Sequence, residues 1–135
     1  MGAWGVGAFD NDTALDWLDT LHELGSEALL AAFQTIAEED ERIEVPQARI
    51  AVAAAEAVAA SRGHPGPDVP GELAEWVDAH RGDVDDGLVT MAVDAITRIR
   101  TRSDLRDLWM DDDPREWQAT ITGLQDRLKA SGAGT

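Results

Sequence analysis

Residues 50–60 read Ile50-Ala51-Val52-Ala53-Ala54-Ala55-Glu56-Ala57-Val58-Ala59-Ala60, a run that is small and apolar on nearly every side. Alanine loses no side-chain entropy when it joins a helix, so the run predicts helix. A helix that is apolar all round is buried rather than amphipathic. Small side chains also let neighbouring backbones come close, and this helix is therefore predicted to be the hub of a bundle. Pro46 suits its first turn, where a missing N–H is no loss, and Ser61 marks its end.

Outward from this hub, apolar spacing stays helical and period-two alternation is nearly absent. Upstream, a helix is predicted from about Asp12 to Leu24, with Ala14, Trp17, Leu18 and Leu21 on one side, Asn11 or Asp12 as its cap and Gly25 as its stop. Ser26 is predicted to cap a second helix carrying Leu29, Leu30, Phe33, Ile36 and Ala37, which gives out in the acidic turn Glu38-Glu39-Asp40-Glu41. Downstream, residues 62–71 hold three of the five prolines and read as a loop. A short helix with Leu73, Trp76 and Val77 follows and ends at Gly82. Asp83 is then predicted to cap a long helix through about Thr101, with Leu88, Ala92, Ala95, Ile96 and Ile99 at core spacing. Ser103 starts a short helix holding Leu105, Leu108 and Trp109. Pro114 opens the last, in which Trp117, Ile121, Leu124 and Leu128 give the strongest amphipathic pattern. The expectation is an all-α, single-domain bundle of six or seven helices over residues 1–130, with a frayed tail over 131–135.

The composition fits one folded domain, since 135 residues with 44% hydrophobic content can bury a sizeable core. There is no cysteine, which removes disulfides, thiolate zinc sites and cysteine nucleophiles together and makes a reducing cytoplasm the expected compartment. The opening has neither the basic start nor the apolar stretch of a secretory signal, and Val6 stands where a myristoylation signal needs Ser or Thr. No apolar run approaches the roughly 20 residues that span a bilayer. The formal charge is −16, with 16 acids and 3 bases in residues 1–80 against 11 and 8 in the remainder. Such a field repels nucleic acid and anionic membranes and favours encounter with basic proteins. Ten Arg to one Lys, with abundant Ala and Asp, is equally the composition of a GC-rich genome or a salt-adapted surface.

Candidate functional residues gather at the amino end. Gly2, Gly5 and Gly7 allow close backbone approach, and Trp4 and Phe9 are large apolar anchors, so the opening is predicted to tuck into the bundle as a plug that fixes the first helix. A phosphate-binding loop is disfavoured because no strand precedes the glycines and Asp10 stands where a third glycine belongs. Asp10, Asp12, Asp16 and Asp19 offer hard-cation ligands, with Asp12 and Asp16 one turn apart, although acids at a helix start are already favoured by its dipole. His22, one turn from Asp19, would complete such a set only with ligands from elsewhere and is otherwise expected to be half-buried packing. Asp83-Val84-Asp85-Asp86-Gly87 fails the EF-hand pattern in the position of its glycine. His64 lies in the proline loop, and His80 is expected in the last turn of its helix. Ser26, Ser61 and Ser103 sit at helix ends with no nucleophile elbow. Arg98, Arg102 and Arg106 recur every four residues and would form an anion-facing stripe if their helix ran through Ser103; interleaved Asp94, Asp104 and Asp107 favour internal ion pairs instead.

Both ends of the chain resemble one family. The opening Met1-Gly-Ala-Trp-Gly-Val-Gly-Ala-Phe-Asp-Asn-Asp12 with Ala14-Leu-Asp-Trp-Leu18, and the closing Ser103-Asp-Leu-Arg-Asp-Leu-Trp109 with Trp117 and Leu124-Gln-Asp-Arg-Leu128, resemble the bacterial family of domain of unknown function 4259. Met110-Asp-Asp departs from the glutamate pair of that pattern. The resemblance implies an intracellular, single-domain bacterial protein and carries over no catalytic residues.

No cofactor motif and no catalytic set emerges. The expected role is a small acidic binding or regulatory module, of the immunity type that covers a basic partner. The alternative is a metal protein or metal-dependent enzyme built on Asp10, Asp12, Asp16 and His22.

Overall fold

Every residue from Ala51 to Ser61 is buried in the computed structural model, which describes residues 7–40, 42–66, 69–110 and 114–131. This stretch belongs to α3 (Val45–Ser61), flanked by α1 (Asp12–Leu24), α2 (Ser26–Ala37), α4 (Gly71–Ala79), α5 (Asp86–Arg102), α6 (Asp104–Met110) and α7 (Pro114–Ala130). Among the described residues there is no strand, and α3 touches all six other helices. Methyl-sized side chains make this possible, because they let several helices close on one axis without voids. The predicted all-α bundle and its alanine hub are both present. Trp4, Gly5 and the rest of the predicted plug before Gly7 lie outside the described residues.

The helix ends show where side-chain chemistry overrode simple spacing. Asn11 caps α1, its Oδ1 accepting from the Ala14 N–H at 2.8 Å. Gly25, at φ 63°, closes α1 by donating to the Leu21 carbonyl at 2.8 Å and serves at once as the residue before α2. Ser26 is therefore the first residue of α2 and not its side-chain cap, a correction that follows from a positive φ only glycine takes cheaply. Asp85, rather than Asp83, caps α5, with its Oδ1 on the Leu88 N–H at 3.0 Å. Asp83 closes a 3-10 turn over Arg81–Asp83, because Val84 is buried and fixes the chain before the helix begins. That turn also displaces the predicted stop: α4 ends at Ala79, and His80 follows it, stacked on Trp76 at 4.5 Å between ring centroids.

One joint ties distant segments. Ser103 is extended and fully buried; its hydroxyl donates to Ile99 and accepts from the Arg106 N–H, while Ile43 pairs alongside it in an isolated parallel bridge. The Asp104 N–H completes this by donating to the Ile43 carbonyl at 2.8 Å. Arg42 then reaches both Asp104 and Asp107. The continuous helix needed for a stripe of Arg98, Arg102 and Arg106 is broken at this joint. Among the described residues no helix is long and apolar enough to cross a membrane.

Candidate functional site

Glu56 is the one acid of the alanine run, and α3 carries it where it retains only 7% of its exposure. An isolated carboxylate in that place would be too costly, so a cation has to reach it. Arg127 of α7 does so with two parallel hydrogen bonds, Nη1 to Oε1 at 2.7 Å and Nη2 to Oε2 at 3.0 Å. Nη1 also donates to the His64 carbonyl at 3.2 Å, which draws the loop after α3 onto the same pair. Gly66 packs closely on the pair: a Cβ there would lie 3.0 Å from Glu56 Oε1 and 3.3 Å from Arg127 Nη1, so a side chain would make the pair give by a few tenths of an ångström.

Above this pair lies a cleft of about 330 Å³. The opening motif forms one wall. Its turn is closed by the Asp10 N–H donating to the Gly7 carbonyl at 3.1 Å and the Gly7 N–H donating to Asp10 Oδ2 at 3.0 Å, with Phe9 packed against the core. Gly66 and Val69 form a second wall, and α7 supplies Ala119, Thr120 and Gly123. Asp10 is thus the one predicted metal candidate that lines the cleft; Gly7 and Phe9 of the predicted structural motif line it too.

The other candidates lie elsewhere. Asp12, Asp16 and His22 are exposed on α1, so His22 is not the half-buried packing residue expected; its Nδ1 sits 2.8 Å from the Leu18 carbonyl, a contact that holds the ring along the helix surface. No group of three or more metal-ligating side chains comes together among the described residues. Arg98 Nη1 bonds to the carbonyls of Ile36 and Ala37 at 3.2 and 3.3 Å, which caps α2. Arg102 reaches the Glu39 carbonyl and Arg106 pairs with Asp107 at 3.2 Å. Arg100 holds Gln125, which in turn donates to Thr97. These arginines join elements of the fold.

The acids of α1 have the opposite disposition. At about 100° per residue, Asp12, Asp16, Asp19 and Glu23 fall within roughly 60° of arc, directly opposite the buried Ala14, Trp17, Leu18 and Leu21. All four are exposed, as is Glu27 in the next helix, and no basic side chain among the described residues pairs with them. The sequence holds no Lys or Arg before Arg42. Leu15 and Leu24 flank this stripe with 36% and 48% of their surface exposed.

The buried pair was missed from sequence, although a lone glutamate in a helix predicted to be buried is a signal that a cation must lie across from it. Residues 2–120 match the family model for domain of unknown function DUF4259, so the chain belongs to that family. The match includes Gly7, Asp10 and Glu56 and ends before Gly123 and Arg127. No curated protein and no solved structure matches the chain.

Proposed function

We propose that this member of the family is a small binding module whose α1 face takes a basic protein partner, in the manner of an immunity protein covering a basic toxin. The observation that carries this reading is the solvent-facing row Asp12, Asp16, Asp19 and Glu23, continued by Glu27, which has no basic partner among the described residues. Arg62, Arg98, Arg102 and Arg127 are held by backbone carbonyls and by the carboxylates of Asp86 and Glu56, and no ion pair among the described residues reaches this row. A one-signed surface of this kind raises the encounter rate with an oppositely charged partner and rejects like-charged ones. Leu15 and Leu24 add the apolar contact that charge alone does not give.

The test compares affinity capture from the native organism by the intact chain and by a variant with Asp12→Asn, Asp16→Asn, Asp19→Asn and Glu23→Gln. A basic protein retained by the first and lost by the second is the expected result. Equal capture by both, or capture of acidic proteins alone, would overturn the reading.

A further inference from the structure

We infer that the cleft between the opening turn, α3 and α7 binds a small organic cation, an ammonium or guanidinium on a short apolar chain. Its volume of about 330 Å³ lies at the lower end of the range for small-molecule sites. Three charged side chains line it, Asp10, Glu56 and Arg127. Arg127 is already matched by both oxygens of Glu56 and by the His64 carbonyl, which leaves the carboxylate of Asp10 as the uncompensated charge. Asp10 Oδ2 takes the Gly7 N–H, and no basic side chain among the described residues pairs with either oxygen. An anion would meet net negative charge here in a chain that already carries −16, whereas a cation is attracted. Phe9, Val69 and Ala119 supply an apolar wall for its alkyl part.

Gly123 is the second, independent observation. It lies inside the 17-residue helix α7, where glycine is a poorer helix former than alanine, and among the described residues nothing lies within 4 Å of the Cβ it lacks. No neighbouring atom of the described residues demands the glycine, and Gly123 lines the cleft, so its missing side chain leaves that volume open. The arrangement keeps a place clear at a cost to the helix.

Amide NMR of the full chain tests this with n-butylammonium and n-butylguanidinium, against n-butanol and butyrate as neutral and anionic controls. Saturable shifts of the Gly7, Gly66 and Gly123 amides are expected with the cations and not with the controls at equal concentration. Asp10→Asn is expected to weaken binding at least tenfold, and Gly123→Leu to abolish it while the melting temperature shows the fold intact. A capped lysine that binds as well as the free amines would identify the occupant as a protein side chain; its exclusion would identify a free metabolite. Equal shifts by butanol, unsaturable shifts along Asp12, Asp16 and Asp19, or unchanged binding in both variants would overturn the inference. The variant neutralised on α1 is expected to bind n-butylammonium as the wild type does, so the cleft and the α1 face fail or stand separately.

Discussion

Arg127 and Glu56, 71 residues apart in sequence, meet as a two-pronged pair in which each guanidinium nitrogen engages its own carboxylate oxygen, at 2.7 and 3.0 Å. Such geometry joins the last helix to the hub more directionally than apolar contact does. It also creates a dependence, because either partner left alone is a charge held away from water.

Glu56→Gln is accordingly expected to destabilise the fold by about 3 kcal/mol, the lower part of the range for breaking a buried pair, since Arg127 keeps 24% of its side-chain exposure. Replacing both residues by methionine is expected to cost less than Glu56→Gln alone or Arg127→Met alone. Urea denaturation of the three variants checks this, and a single variant within about 0.5 kcal/mol of wild type would show that the pair does not hold α7.

Gly123→Ala is expected to raise stability by about 1 kcal/mol, because the helix gains propensity and the new methyl meets nothing within 4 Å among the described residues. Thermal melts give the sign directly. A loss of stability would mean that the cleft is less open at α7 than the geometry gives.

Arg49 sits at 9% exposure on α3, and burial holds its guanidinium below the usual arginine range. A base lowered in the folded state is disfavoured there whenever it is charged, and arginine is charged at every working pH. Arg49→Met is therefore expected to be neutral or stabilising by up to about 1 kcal/mol, by an offset that stays constant from about pH 5 to pH 9. Chemical melts across that interval check it; a destabilisation above about 1 kcal/mol would show that Arg49 is held by more than its packed stem.

The acidic face makes a prediction about salt. Raising sodium chloride from about 0.15 M to about 1 M shortens the screening length from roughly 8 Å to roughly 3 Å, so the melting temperature is expected to rise as Asp12, Asp16, Asp19 and Glu23 cease to repel one another. The variant neutralised at those four positions is expected to give a flatter curve. Parallel curves for the two proteins would show that repulsion along α1 contributes nothing to stability.

The sequence disclosed the hub because seven alanines and two valines in ten residues have few alternatives: residues 51–60 are all buried, with Glu56 the one member that size and apolarity do not explain. It was less informative at caps, where two adjacent candidates compete. Asp83 and Asp85 are chemically the same, and only the burial of Val84 between them decides which one meets a free helix N–H. The arginine stripe failed for a related reason, since the break at Ser103 depends on Ile43, which lies 60 residues earlier in the chain. The cleft was illegible because its walls come from three separated segments, and spacing within one helix says nothing about which residues another helix will present. Asp10 was visible as a carboxylate; its meeting with the Glu56 and Arg127 pair was not.

The alanine helix that touches every other helix has a consequence for how the protein is born. A hub that needs α7 cannot close before that helix has been made, and at roughly 5–20 residues per second the ribosome needs about 4 to 14 s to travel from Glu56 to Arg127. During that interval a nearly featureless apolar rod carries one carboxylate without its counter-ion. That carboxylate stays without its partner until α7 has been made, and a chain cut before Pro114 is expected to lose the fold rather than to keep a shortened bundle.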